Sequence, residues 1–305
     1  MANLEKYMGV IPAFYACYDS EGKINTERVK QLTEYFVNQG AKGVYVNGSS
    51  GECIYLRPDE RKAVLEAVVE AAKGRLTIIC HVACNNTEDS MELAAHSESL
   101  GVDAIAAIPP IYFRLPDHAI AKYWNDMSSA APNTDFVIYN IPQLAGVSLT
   151  IPLLKEMRKN KNVIGVKNSS MPTQDIQMFA VEMGDDGIVF NGPDEQFISG
   201  LAIGAKGGIG GTYGSMPKLF TKMYELVQAG DFESARPIQN AVNEVIFKMC
   251  EAKGNLYAVI KEVLRINEGL DIGSVRAPLA PLQDGDKAIA EEAAGMIRVA
   301  YEKYL

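Results

Sequence analysis

Eight short apolar segments, most of them rich in β-branched residues, recur along the chain at residues 9–14, 43–46, 76–80, 104–108, 136–139, 163–167, 188–191 and 207–211. They are apolar almost throughout rather than alternating, the pattern of parallel strands covered on both faces. Amphipathic stretches with helical spacing separate them, as at 26–39, 57–72, 87–100 and 173–183. Eight closely spaced βα units predict a closed (β/α)8 TIM barrel, with an open doubly wound sheet as the alternative. The glycines of 204–214 lack the dinucleotide-binding spacing, because a third glycine after Gly208 and Gly210 would fall on Tyr213. Further helical patterns at 232–252, 257–266 and 288–304 predict a C-terminal helical extension. We therefore expect a barrel over 1–225 and an extension over 226–305 packed on it within the same domain.

Composition changes this picture little. With 48% apolar and 22% charged residues and no linker-like tract, the chain reads as an ordinary globular protein. The net charge of −9 argues against a general nucleic-acid or membrane-surface role. Residues 1–7 lack the basic and apolar regions of a signal peptide, and no apolar run is long enough to span a bilayer, so a cytoplasmic location is expected. The cysteines Cys17, Cys53, Cys80, Cys84 and Cys250 are odd in number and scattered, which predicts reduced and mostly buried thiols. Cys80, His81 and Cys84 lie along a strand pattern with no second Cys/His pair, and the three histidines do not cluster. Neither a metal site nor a His-dependent triad is expected.

The informative residues stand at the ends of the strand patterns, where barrel enzymes place their sites. Lys167 closes one β-branched run and Tyr139 another. A strand-end lysine ordinarily snorkels to water, yet a lysine desolvated at a barrel mouth has its pKa lowered and can attack a ketone to form an imine. Tyr139 can exchange a proton with the reacting oxygen, and Ser49 and Ser50, within Gly48-Ser49-Ser50-Gly51-Glu52, can hold a carboxylate. An ordinary loop ended by a helix cap accounts equally well for that pentapeptide alone. Asp194 and Glu195 precede a helical pattern, which suits a helix N-terminus; their rim position also suits binding of sugar hydroxyls by acceptor-only carboxylates.

Taken together, Gly48-Ser49-Ser50-Gly51-Glu52, Tyr139-Asn140-Ile141-Pro142, Gly165-Val166-Lys167 and Gly207-Gly208-Ile209-Gly210 resemble the dihydrodipicolinate synthase and N-acetylneuraminate lyase family, over essentially the whole chain. This resemblance implies a pyruvate-dependent class I aldolase on a (β/α)8 barrel, without metal or dissociable cofactor. It implies that Lys167 forms the imine, Tyr139 shuttles the proton, and Ser49 with Ser50 grip the carboxylate. Tyr112 matches an aromatic that members lend to a neighbouring subunit's site, in what is typically a homotetramer. Dihydrodipicolinate synthases carry an arginine five residues after the tyrosine, where this chain has Leu144, and leucine cannot replace a bidentate guanidinium. The chain looks instead like the sialic acid lyases, which adds Ser169, Gly192, Asp194 and Glu195 as contacts to the polyhydroxy chain of a sugar acid. Two departures concern specificity: Gly211 stands where those lyases have a serine, and Pro193 where they often have an aromatic. The implied activity is reversible cleavage of N-acetylneuraminate to N-acetylmannosamine and pyruvate. The alternatives are a lyase or dehydratase of another 2-keto-3-deoxy sugar acid, dihydrodipicolinate synthase, and a catalytically silent keto-acid sensor.

Overall fold

The computed structural model describes residues 3–305. Its eight strands are β1 (Gly9–Pro12), β2 (Gly43–Val46), β3 (Thr77–His81), β4 (Ala104–Ala107), β5 (Asp135–Asn140), β6 (Val163–Asn168), β7 (Ile188–Asn191) and β8 (Gly207–Gly210). All pair in parallel, each with its chain neighbour from β2 to β8, and β8 pairs with β1. The circle closes where Ala13 bridges Tyr45 and the Phe14 N–H donates to the Tyr45 carbonyl at 2.9 Å. This closure is the (β/α)8 barrel expected from the pattern and excludes the open sheet.

Helices α1 (Thr26–Asn38), α2 (Pro58–Ala72), α3 (Thr87–Ser99) and α4 (Asp117–Ala130) follow the first four strands. The fifth unit carries α5 (Pro142–Ala145) and α6 (Ile151–Met157), the sixth α7 (Thr173–Met183), the seventh α8 (Phe197–Ala202) and the eighth α9 (Pro217–Gln228). Residue 225, the expected barrel limit, lies inside α9. Beyond it come α10 (Phe232–Cys250), α11 (Leu256–Glu268) and α12 (Asp286–Tyr304). Asn25 and Asn86 accept the Arg28 and Asp89 N–H groups at 3.0 and 2.7 Å, so an asparagine starts α1 and another starts α3.

The strands bury both faces. Val44, Val46, Ile105, Phe136 and Val166 point outward under the helices, whereas Ile11, Tyr45, Ile79, Val137, Ile188, Phe190 and Ile209 fill the barrel. Tyr7 plugs its lower end, its hydroxyl donating to the Asp103 carbonyl and the Asp135 carboxylate at 2.6 and 2.7 Å. Between β5 and β6 the register slips by one residue: Phe136 faces Val163 and Val137 faces Gly165. Such a bulge re-aims the strand beyond it, and here it sets Tyr139 directly opposite Lys167.

All five cysteines are free thiols, but the expectation of a mostly buried set is corrected. Cys17 and Cys80 are buried, Cys53 and Cys84 lie half-buried in loops after strands, and Cys250 is exposed at the end of α10. Among the described residues no helix is long and apolar enough to cross a membrane.

Candidate active site

Lys167 and Tyr139 are neighbours at the C-terminal ends of β6 and β5, and both side chains are buried inside the barrel mouth. The lysine Nζ lies 3.9 Å from the centroid of the Tyr139 ring and 4.2 Å from that of Tyr45. Burial disfavours the ammonium and brings the Lys167 pKa down to about 7, against the pull of the Asp194 carboxylate and the Cys53 thiol. The two aromatic faces attract the cation and also oppose that fall. Lys167 is thus held where an appreciable fraction is free amine at neutral pH.

Burial pushes the Tyr139 phenol up to about 12, while the hydroxyls of Ser49 and Ser169 hydrogen-bond to it and restrain the rise. Ser49 comes from the loop after β2 and Ser169 from the loop after β6. Ser169 is positioned by its backbone: its N–H donates to the Asn140 carbonyl at 2.8 Å. A buried network runs behind it, Asn140 Nδ2 donating to Asn168 Oδ1 at 2.7 Å, Asn168 Nδ2 to Ser170 Oγ at 2.9 Å, and that hydroxyl to Asp175 at 2.7 Å. Fully paired polar networks of this kind rigidify the groups they carry.

The loop after β7 supplies Asp194, whose Oδ2 accepts from the Thr212 N–H at 2.6 Å and from the Thr212 hydroxyl at 2.5 Å. Burial raises its pKa to about 7 against these hydrogen bonds. Two glycines make the room. A Cβ on Gly210 would sit 2.2 Å from Asp194 Oδ1, and one on Gly192 would sit 2.1 Å from Ser169 Oγ. Gly192 also spends its N–H on the Asn168 carbonyl at 2.8 Å.

The expected residues divide into three groups. Lys167, Tyr139, Ser49, Ser50, Ser169, Gly192, Asp194 and Gly211 converge on one mouth. Glu195 is exposed next to Asp194 and is not packed into it. Tyr112 is 89% exposed, edge-on to Phe113 with centroids 5.0 Å apart, and stands outside this chain's own mouth. Within the pentapeptide, Glu52 turns away from the mouth. It is buried, accepting Lys261 Nζ at 2.8 Å, the Arg276 N–H at 2.8 Å and the Tyr18 hydroxyl at 3.1 Å. It fastens the serine loop to α11 and the segment after it.

Four aromatic or imidazole groups escaped the sequence reading. Tyr45 lies against Lys167 and packs edge-on to Tyr139 at 5.7 Å, while His81 packs edge-on to Tyr139 at 6.1 Å. Burial lowers the His81 pKa well below its usual value, with the Arg61 and Lys167 charges adding to the effect. Tyr15 and Tyr257 stand beside the loop after β8. Tyr45 and His81 carried a usable signal, Tyr45 as the one aromatic of β2 and His81 as the imidazole that ends β3.

The model of the dihydrodipicolinate synthetase family matches residues 6–295. The chain is 67% identical over 305 residues to the N-acetylneuraminate lyase of Mediterraneibacter gnavus, covering 100% of this chain and 97% of that protein. It is 32% identical over 276 residues to the N-acetylneuraminate lyase of Citrobacter koseri, covering 90% and 92%. Among solved structures, wild-type Ruminococcus gnavus sialic acid aldolase superposes with a TM-score of 0.97 at 67% identity, over 98% of this chain and 100% of that one. A catalytic-lysine mutant of that aldolase superposes with a TM-score of 0.99 at 66% identity, over the whole of both chains. On this match and on the barrel that carries it, the chain belongs to the dihydrodipicolinate synthetase family.

Proposed function

We propose that this protein is a class I lyase that cleaves N-acetylneuraminate reversibly to N-acetylmannosamine and pyruvate, through an imine on Lys167. The observation that carries the reading is a buried lysine with a pKa near 7, set opposite a buried tyrosine at the mouth of the barrel. The two relatives reported above are N-acetylneuraminate lyases. Leu144 is 67% exposed, so the site offers no guanidinium there for the second substrate of a dihydrodipicolinate synthase.

In this reading the free amine of Lys167 attacks C2 of the open-chain keto acid, while Ser49 and Ser50 hold its carboxylate. One amine proton passes to the C2 oxygen as the carbinolamine forms, Tyr139 gives that hydroxyl a second, and it leaves as water with the phenolate retained. The protonated imine draws in the C3–C4 bonding electrons as the C4 hydroxyl surrenders its proton to that phenolate, through the substrate carboxylate. The aldehyde sugar departs, the enamine takes the Tyr139 proton at C3, and water adds to the protonated imine to return pyruvate and the free amine, its released proton restoring the phenol. A phenol raised to about 12 is a strong base once ionised, which suits the second transfer. Asp194, Gly192, Ser169 and the exposed Glu195 are the proposed contacts to the polyhydroxy chain. No metal or dissociable cofactor enters these steps.

The same reading extends to assembly. Tyr112 adopts φ +82°, a strained conformation for a non-glycine residue, and its exposure with that of Phe113 supports a role in a neighbouring subunit's site within a homotetramer. The Glu52–Lys261 pair supports a single domain in which the extension over 226–305 braces the barrel of 1–225. The five free thiols support a cytoplasmic protein.

Pyruvate release from N-acetylneuraminate, read through lactate dehydrogenase with other 2-keto-3-deoxy sugar acids in parallel, tests the assignment. Selective release from N-acetylneuraminate is expected. Release from a different sugar acid alone would transfer the pocket to that substrate, and binding of pyruvate with neither cleavage nor borohydride trapping would leave only a keto-acid binder.

A further inference from the structure

In the loop after β8, Gly211 stands where the resemblance to the sialic acid lyases implies a serine. The gap is bordered by two hydroxyls. A Cβ on Gly211 would lie 3.3 Å from Ser50 Oγ and 3.7 Å from both Cε1 and the hydroxyl of Tyr257. Tyr257 arrives from the first turn of α11, far along the chain. It is held there on two sides: its N–H donates to Asn255 Oδ1 at 2.9 Å, and its ring packs on Tyr15 with centroids 6.5 Å apart. The Tyr15 hydroxyl in turn donates to the Gly211 carbonyl at 2.7 Å, tying the phenol's support to the loop it faces. Burial raises the Tyr257 pKa, with Ser50 as its hydrogen-bonding neighbour and with contributions from Tyr139 and Asp194. The phenol therefore stands with Ser50 around the space at Gly211, and none of the steps above uses it.

We propose that Tyr257 is a specificity-determining residue of this site, its hydroxyl binding a hydroxyl of the substrate's polyhydroxy chain in place of the missing loop serine. The assignment rests on the lyase reading and deepens it. The donor comes from the C-terminal extension, and Gly211 keeps open the space beside it. A serine at 211 with Tyr257 still present brings a third hydroxyl against Ser50, where a Cβ is already tight.

Steady-state kinetics on the full chain with Tyr257→Phe, Gly211→Ser and the double variant test this directly. Tyr257→Phe removes one oxygen, and a site built to pair a hydroxyl loses binding when that partner goes. The expected loss is about tenfold or more in kcat/KM for the sugar acid the wild type cleaves, carried mainly by KM. Borohydride trapping of pyruvate on Lys167 reports imine formation with a ligand that has no polyhydroxy chain, and it should fall by much less than kcat/KM does. Adding Gly211→Ser to Tyr257→Phe should recover most of the loss, whereas Gly211→Ser alone should lower kcat/KM. Wild-type kcat/KM in Tyr257→Phe, an equal loss in pyruvate trapping, or no recovery in the double variant would each overturn the assignment and leave the lyase reading standing. A wild-type protein that cleaves no sugar acid would overturn the lyase reading, and this assignment with it.

Discussion

Among the described residues two lysines are buried, Lys167 at 4% and Lys261 at 3% exposure, and their surroundings differ in one respect. Lys261 Nζ donates to the Glu52 carboxylate at 2.8 Å and to the Ser274 carbonyl at 2.7 Å. Lys167 Nζ faces the rings of Tyr45 and Tyr139, and among the described residues it makes no hydrogen bond to a carboxylate. Burial lowers both pKa values, but at Lys261 the paired carboxylate of Glu52 pulls back toward the charged form. At Lys167 the compensating charge of Asp194 is itself weakened, because burial raises that carboxyl to about 7. The contrast separates two uses of one side chain: a buried lysine with a hydrogen-bonded acceptor is a fastening, and one without is a nucleophile in waiting.

Removing each lysine should therefore have opposite consequences. Lys167→Ala is expected to lower kcat for pyruvate release by on the order of 10⁴-fold or more with the fold intact; substantial turnover with an unchanged circular dichroism spectrum would refute the role. Tyr139→Phe should come next, lowering kcat by roughly 10²–10⁴-fold, while Lys167 remains able to bind pyruvate. Lys261→Met strands the Glu52 carboxylate in the interior and should cost about 3–5 kcal/mol of stability, measured by denaturant unfolding. Combining it with Glu52→Gln should cost less than the single change, as a fastening role requires.

The pH dependence sharpens the comparison further. The folded pKa of Lys167 lies below its ordinary value of 10.5, so between about 7 and 10.5 the unfolded chain binds more protons and stability rises with pH. Lys167→Met removes this penalty, and it should raise the melting temperature, more at pH 6 than at pH 9. The same lowering makes kcat/KM rise with pH through about 7, as the free amine is populated. Asp194→Asn takes away a charge that favours the ammonium, and it should move that rising limb to lower pH, the smallest of these effects. A limb that stayed fixed would show that the Asp194 charge does not act on Lys167.

The strands were legible because burial on both faces leaves little but β-branched and aliphatic residues. The segments at 43–46 and 188–191 match β2 and β7 residue for residue, and the ends of the runs at Tyr139 and Lys167 were visible as polar groups in apolar surroundings. The short helices α5, α6 and α8 were not read, since four to seven residues hold too little of a helical period. Glu52 was read with its serine loop, but its partner Lys261 is 209 residues away, and no local pattern reports a pairing at that distance. Tyr257 was hidden for the same reason. Its place beside Gly211 follows from how α11 packs, not from the residues around it.

The role of Lys167 as the imine-forming residue is tested most directly by borohydride reduction in the presence of pyruvate, followed by peptide mass spectrometry. An irreversible pyruvate-sized mass increase confined to the peptide carrying Lys167, and absent from the one carrying Lys261, is the predicted result. An unmodified Lys167, or modification of other lysines to the same extent, would contradict it.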